Sequence, residues 1–221
     1  MKKICSLLLW PILFLALSNP TVGATVLYEE DTARIYVNKE LGFQLEVPTG
    51  WTYETSGKVI EESRERAREM AATILGLSKE EVTQADLEGA PKGILIKMTA
   101  LDNVLPASQI VTRDLTGIKD APTSPDQNLR AYMYFVSNAT YVDILEPVSV
   151  IYLNEKTGAH VAYETQMVLE GETYRTRSDV YSFLVNNHSI DMTIIRDLDS
   201  YFLDDEESSI DTLIESIKFQ S

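Results

Sequence analysis

The chain has almost no cysteine and very little histidine, and both shortages limit its chemistry. Its 221 residues include one cysteine, Cys5, and two histidines, His160 and His188. Cys5 lies in an N-terminal segment that we expect to be removed, which would leave no disulfide, thiolate nucleophile or cysteine-bound zinc. The histidines belong to no HxxxH or HExxH motif, and GxSxG is absent. We therefore expect no catalytic residues, no metal site, no cofactor and no enzymatic activity.

Basic residues are scarce as well. The chain has 19 lysine and arginine residues against 34 aspartate and glutamate residues, which gives a net charge of −15. An acidic surface of this kind repels nucleic-acid backbones and anionic lipid headgroups. The charge therefore argues against a nucleic-acid partner.

Long apolar runs are missing after the N-terminus. Residues 4–17 are almost entirely apolar, follow two lysines and precede small residues that end at Ala24. This order is typical of a signal peptide, and the run is shorter than the ~20 residues of a membrane-spanning helix. We predict a signal peptide over 1–24, export to the periplasm or the extracellular space, and no transmembrane segment after its removal. The remaining chain would carry a net charge of −17.

The 197 residues that follow have a typical length for one domain. They contain no internal repeat, glycine-rich phosphate loop or low-complexity tract. We predict a polar lead-in over 25–33 and a single domain over 34–221.

The segment YVNKELGFQLEVPTGW, residues 36–51, combines an alternating run with a turn and a tryptophan. Phe43, Leu45 and Val47 alternate with polar residues, as in a half-buried strand. Trp51 follows directly after the turn, and so large a ring is more typical of a core than of a ligand platform. We predict that these four side chains build the core.

Helical periodicity and capping residues predict five helices. They cover 58–75, 78–87, 107–115 and 125–137, and the last begins at Ser208 or Ser209. The helix over 125–137 is apolar nearly all round, so we expect it to be buried on more than one side.

Alternating runs predict the strands. One strand covers 42–48, one covers 93–101, and four more cover 147–153, 159–169, 172–185 and 188–196. Turn residues at 156–158, 170–171 and 186–187 separate the last four, which indicates successive hairpins. We predict an α+β fold with helices packed on a mostly antiparallel sheet.

The strands also predict a shared polar face. If their apolar sides point to one core, their other sides carry Lys97, Thr99, His160, Glu164, Gln166, Asp191 and Thr193, with Arg175 and Arg177 as further candidates. The candidate ligand-binding residues are Lys97, His160, Glu164, Arg175, Arg177 and Asp191. Two interpretations are open: a site for a polar ligand or partner, or a solvated face with cross-strand pairs.

The segment 197–211 contains seven acidic residues but lacks the spacing and glycine of an EF-hand. Acidic residues ahead of a helix interact favourably with its N-terminal dipole, which explains most of this run. Weak calcium binding is the alternative interpretation. Asn138 and Asn187 begin formal glycosylation sequons.

The segment 36–51 resembles the first hairpin region of the PsbP-like family, and the run after Val148 and the closing LIESIKF, 213–219, are similar to its last strands and helix. The resemblance implies an antiparallel sheet with helices on both sides, a PsbP-like α/β/α sandwich, and no set of catalytic residues. Family members include an extrinsic subunit of the oxygen-evolving photosystem, a Ran-binding nuclear protein and many exported bacterial proteins.

From these observations we expect an exported, non-enzymatic protein that binds another envelope protein as an assembly factor or scaffold. The alternative is a module that binds a small polar ligand or a cation.

Overall fold

The computed structural model describes residues 25–30, 33–54, 78–81, 93–100, 105–139, 142–169, 172–199 and 204–219. The predicted signal peptide, the predicted helix over 58–75 and the turn at 170–171 lie outside these residues. The predicted helix over 78–87 is described only for its first residues, which form a 3₁₀ turn at Lys79–Glu81. Glu81 accepts a hydrogen bond from the Ser78 backbone N–H at 2.8 Å, as expected for a capping box.

The described residues form strands and two α-helices. The strands are β1 (Thr25–Glu30), β2 (Ala33–Asn38), β3 (Phe43–Val47), β4 (Trp51–Glu54), β5 (Gly93–Ala100), β6 (Ala107–Asp114), β7 (Asp143–Leu153), β8 (Lys156–Leu169), β9 (Glu172–Val185), β10 (His188–Asp197) and β11 (Lys218–Phe219). The helices are α1 (Pro125–Ala139) and α2 (Asp204–Glu215). Neither helix is long and apolar enough to cross a membrane.

A four-stranded antiparallel sheet has the order β1-β2-β3-β11. The sequence predicted a polar lead-in over 25–33, but Thr25–Glu30 pairs with Ala33–Asn38 along its whole length. The segment Val26-Leu27-Tyr28 has high strand propensity, which explains why it extends the sheet.

A seven-stranded antiparallel sheet has the order β4-β5-β6-β10-β9-β8-β7. The predicted meander is confirmed as β7 to β10, and Asn186 and Asn187 form one of its turns with positive φ angles of 48° and 60°. The predicted turn over 156–158 is wrong, because Asn154 and Glu155 make the turn with φ angles of 45° and 66° and β8 begins directly after them. Two positive φ angles in a two-residue loop match the twist of a hairpin.

The predicted helix over 107–115 is also wrong. Ala107–Asp114 is strand β6, which lies between β5 and β10 in the middle of the sheet. Ile110, Val111 and Thr112 are branched at Cβ and favour extended backbone. Two neighbouring strands satisfy the backbone hydrogen bonds of β6, so its helical apolar spacing does not decide its structure.

A first core lies between one face of the seven-stranded sheet and the four-stranded sheet with α2. It includes Phe43, Leu45, Val47, Trp51, Ile96, Met98, Ile110, Phe183, Met192, Leu213 and Ile217. The predicted core role of the segment 36–51 is confirmed. Helix α2 begins at Asp204 rather than at Ser208 or Ser209, as the acidic residues of its first turn favour.

A second core lies on the other face of the seven-stranded sheet, under α1. Leu129, Met133 and Val136 of the helix pack against β8 and β9. The prediction that this helix is buried on more than one side is wrong, because Tyr134 is 77% exposed.

The predicted mostly antiparallel α+β fold is confirmed. The described layers are α1, the seven-stranded sheet, and the four-stranded sheet with α2 beside it. The resemblance implied helices on both sides of one sheet, and the structure places a second sheet in one of the outer layers.

Candidate functional site

The six candidate residues do not lie on one face of the sheet. Side chains at paired positions of antiparallel strands point to the same face. Asp191 on β10 is paired with Ser182 on β9, and both side chains bond to Asn128 of α1. Asp191 therefore lies on the face that α1 covers, and strand alternation through β10, β6 and β5 places Lys97 there too.

The other four candidates lie on the opposite face. His160 on β8 is paired with Tyr181, the neighbour of Ser182, and the centroids of these two rings are 4.6 Å apart. By the same alternation this face also carries Glu164, Gln166, Arg175 and Arg177, whereas Thr99 and Thr193 lie with Lys97. The prediction of a single polar face is therefore wrong.

The error has a simple physical cause. Both faces of the seven-stranded sheet are covered, so an apolar side chain does not mark one particular face. Val161 and Tyr163 of β8 point to α1, whereas Ile96 and Met98 of β5 point to the four-stranded sheet.

A buried carboxylate, Asp179 on β9, organises the charged side chains near His160. Its residue is 3% exposed. Arg177 donates from Nε at 2.9 Å and from Nη2 at 2.8 Å, and Arg196 donates from Nη2 at 2.7 Å. His160 Nε2 lies 3.1 Å from Asp179 Oδ1, and because an ionised carboxylate only accepts, Nε2 carries the proton. We call Asp179, His160, Arg177, Arg196 and the nearby Glu146 the Asp179 cluster.

The cluster holds Asp179 ionised. Burial acts to raise the pKa of Asp179, but the hydrogen bonds from His160, Arg177 and Arg196 outweigh it and keep this pKa well below its usual range. The hydrogen bond to Asp179 raises the pKa of Arg177. Burial, followed by the charge of Asp179, raises the pKa of Tyr181 to about 12. Asp179, Arg177 and Tyr181 therefore each keep one charge state at neutral pH.

Glu146 on β7 is the exposed end of the cluster. Its side chain is 51% exposed and accepts a hydrogen bond from Arg177 Nη2 at 2.6 Å. Its other oxygen lies 3.8 Å from His160 Nδ1. Each nitrogen of the His160 ring therefore faces a carboxylate.

A second ion-pair group continues along the same face. Arg175 donates to both oxygens of Glu164 at 2.9 and 3.1 Å and to Asp199 at 3.3 Å. The hydrogen bond from Arg175 lowers the pKa of Glu164. Glu164 and Arg175 are thus each engaged by an opposite charge.

The Asp191 side chain lies in a different polar network, under α1. It accepts hydrogen bonds from Ser182 at 2.6 Å, Asn128 at 2.9 Å and Ser189 at 3.1 Å. Asn128 also accepts from Arg113 at 2.6 Å. Burial raises the pKa of Asp191 against these hydrogen bonds. The network ties α1 to β6, β9 and β10.

Asp179, Arg196 and Glu146 were not among the candidates predicted from the sequence. A usable signal existed for two of them, because Asp179 alternates in phase with the buried Phe183 and Arg196 alternates in phase with the buried Met192. A charged residue at a core position must have a buried partner. Glu146 lies in an irregular part of β7 between two register shifts, where alternation gives no signal.

The charged side chains around Asp179 form ion pairs with one another. Among the described residues, the two nitrogens of the His160 ring lie against the carboxylates of Asp179 and Glu146. In the described ranges, no group of three histidine, cysteine, aspartate or glutamate side chains is arranged to hold a metal ion. Two surface grooves of about 400 and 270 Å³ lie along α2 and between α2 and β3, away from the Asp179 cluster.

Comparison with solved structures shows which known fold this chain shares. The solution structure of cyanobacterial PsbP (CyanoP) from Synechocystis sp. PCC 6803 is similar over 90% of this chain and 98% of its own, with a TM-score of 0.53 and 10% identity. The chain has a PsbP-like fold. The family resemblance drawn from the segment 36–51 is thereby confirmed at the level of the fold.

A second solved structure is also similar to this chain. A crystal structure from Bacteroides thetaiotaomicron VPI-5482 at 1.50 Å resolution is 9% identical, covers 86% of this chain and 49% of its own, and has a TM-score of 0.46. No family model and no curated protein sequence matches the chain.

Proposed function

We propose that this chain is an exported, non-enzymatic protein that binds another protein of the cell envelope as an assembly factor or scaffold. One observation carries the proposal. Among the described residues, the ionisable side chains that could take part in a reaction bond to one another instead of lining a cavity. Asp179, for example, bonds to Arg177, Arg196 and His160. Such side chains stabilise a surface more readily than they turn over a substrate.

Two further observations support the proposal. The PsbP-like fold agrees with the scaffold role that the family resemblance implies. The N-terminal segment 1–24 has the composition of a signal peptide, which supports export to the periplasm or the extracellular space. The single domain over 34–221 and the full helix–sheet–helix layering are part of the same proposal.

Affinity capture tests this proposal. The full chain, tagged and returned to its source, is recovered from envelope extract and compared with a mock bait by quantitative mass spectrometry. We expect specific enrichment of an envelope protein and no turnover in a general hydrolase screen. Turnover that His160→Gln abolishes, with no protein enriched above the mock, would show that the chain is an enzyme instead.

The second candidate function is binding of a small polar ligand at the Asp179 cluster. It is favoured by one observation: Arg196 Nε is buried and has no hydrogen-bond partner among the described residues. Four of the six predicted residues, His160, Glu164, Arg175 and Arg177, share the face of this cluster, and Lys97 and Asp191 lie on the other face.

A thermal-shift panel of metal ions, carboxylates and phosphates separates the two candidates. A bound ligand raises the melting temperature by mass action, and Glu146→Gln, a change at the exposed end of the cluster, should alter that shift. A panel with no shift at any concentration rejects this second function.

A further inference from the structure

Strand β7 ends the seven-stranded sheet, and no described strand lies beyond it. It has eleven residues, most of them exposed. The outer edge of such a strand presents backbone N–H and C=O groups that can pair with another extended chain. The opposite edge strand, β4, has only four residues.

The two halves of β7 differ. Register shifts between Ile144 and Glu146 and between Glu146 and Ser149, together with Pro147, interrupt the first half. Bulges and proline are features that protect an edge from pairing. The second half, residues 149–153, pairs with β8 in unbroken register and contains no charged residue and no proline. Only this half is a regular open edge.

The side chains of residues 149–153 suit a docked strand. Ile151 and Leu153 pack against the first core. Val150 and Tyr152 point to the opposite face and are 53% and 79% exposed. In strand addition, backbone hydrogen bonds supply affinity and alternate side chains supply specificity. Two adjacent apolar side chains on one face thus provide a contact for alternate apolar residues of a partner.

The charge selects the kind of partner. Asp143 and Glu155 are exposed at the two ends of β7, and the chain carries a net charge of −15. A second copy of this chain would bring the same charges to the edge and be repelled. A segment with lysine or arginine would be attracted, most strongly at low ionic strength, because the Debye length is about 8 Å at physiological salt.

We propose that residues 149–153 of β7 bind an extended segment of a partner protein, in which apolar residues alternate with lysine or arginine, as an additional strand of the sheet. This inference rests on the proposed protein-binding function and names the surface and the partner chemistry. Val150 and Tyr152 contact the apolar residues of the segment, and its basic residues lie near the acidic ends of β7.

The test uses two short synthetic peptides of equal charge, one alternating lysine with valine and one alternating lysine with serine. Titration of the full chain should show about tenfold tighter binding of the lysine–valine peptide, because only valine adds apolar contact and strand propensity. Hydrogen exchange should show this peptide protecting backbone amides within 149–153.

Tyr152→Lys should weaken the binding of the lysine–valine peptide about tenfold. The matched control is Tyr134→Lys on α1, where the tyrosine is 77% exposed and is not part of β7, and it should leave the affinity unchanged.

Three results would overturn the inference: equal affinity for both peptides, unchanged affinity in Tyr152→Lys, or a wild-type dimer that Tyr152→Lys dissociates. The last result would identify a second copy as the occupant.

Affinity capture separates this inference from the proposed function. An envelope partner that Tyr152→Lys still captures in full refutes the edge site but leaves the protein-binding function standing. Peptide binding at 149–153 without any captured envelope protein supports the edge site but counts against the proposed protein-binding function.

Discussion

At the scale of single residues, Asp179 shows how this fold uses its charges. A buried carboxylate without partners would cost several kcal/mol. Asp179 is offset by Arg177, Arg196 and His160, which come from three neighbouring strands. The carboxylate therefore links β8, β9 and β10 from within the sheet, and its role in the proposed scaffold is structural.

Replacing Asp179 with asparagine tests that role. Asp179→Asn leaves two arginines without their buried counter-charge and should lower the free energy of unfolding by about 3 kcal/mol at pH 7. Urea titration followed by circular dichroism measures the change. The control is Asp199→Asn, which removes an exposed carboxylate 3.3 Å from Arg175 and should cost at most about 1 kcal/mol. Equal effects of the two variants would refute the structural role.

The same pair of proteins predicts a pH dependence. The pKa of Asp179 is lower in the folded chain than its usual value of 3.8, so its contribution is complete above that value and is lost as pH falls toward the folded-state pKa. The difference in unfolding free energy between wild type and Asp179→Asn should therefore shrink as the pH falls below about 4. Repeating the urea titrations at each pH measures it, and a difference that grows below about pH 4 would contradict the sign.

Gly158 is a second residue whose identity the packing determines. A Cβ atom at this position would lie 2.5 Å from Cε1 and 2.8 Å from Cδ1 of Phe183, its partner on β9. Phe183 is 1% exposed and has little room to move. Gly158→Ala should cost about 1–3 kcal/mol of unfolding free energy through overpacking.

A double-mutant cycle isolates this contact. In a Phe183→Leu background, Gly158→Ala should cost clearly less, because the ring that it meets has been removed. Thermal unfolding of the four proteins provides the cycle. Identical costs in both backgrounds would show that the ring is not the cause.

At the scale of elements, the turn between β7 and β8 holds the edge hairpin against the end of α2. Asn154 Nδ2 donates to the carbonyl oxygens of Glu215 at 2.9 Å and Ile217 at 2.5 Å. These bonds satisfy carbonyl groups that the end of a helix leaves free. The turn residue thus connects the two sheets at one corner of the molecule.

Glycine substitutions separate this contact from the backbone conformation. Asn154→Gly keeps the positive φ angle but loses both hydrogen bonds, and we expect about 1–2 kcal/mol lower unfolding free energy. Asn186→Gly, at a turn residue with a similar φ angle of 48°, should stay within about 0.5 kcal/mol of wild type. Chemical denaturation measures both variants. A neutral Asn154→Gly would mean that the corner contact contributes nothing to stability.

The elements also show what the sequence could predict. The hairpins β7 to β10 were predictable because alternating runs and short turns are local signals. Strand β6 was not, since its neighbours β5 and β10 determine its structure and a local helical spacing competes with them. The site was predictable only in part, because Asp179 and Arg196 gain meaning from partners on other strands.

At the scale of the whole molecule, two cores on opposite faces decide which side chains remain available. Covering both faces of the seven-stranded sheet separates Lys97 and Asp191 from His160 and Arg177. The charged residues then pair locally, and the edge at 149–153 is open among the described strands. This division supports the proposal that the molecule docks to another protein.

Hydrogen exchange of the full chain, alone and in complex with its captured envelope partner, tests this account most directly. We expect amides within 149–153 to become protected in the complex, while those of β9 around Asp179 exchange as they do in the free chain. Protection centred on the Asp179 cluster, with 149–153 unchanged, would contradict it.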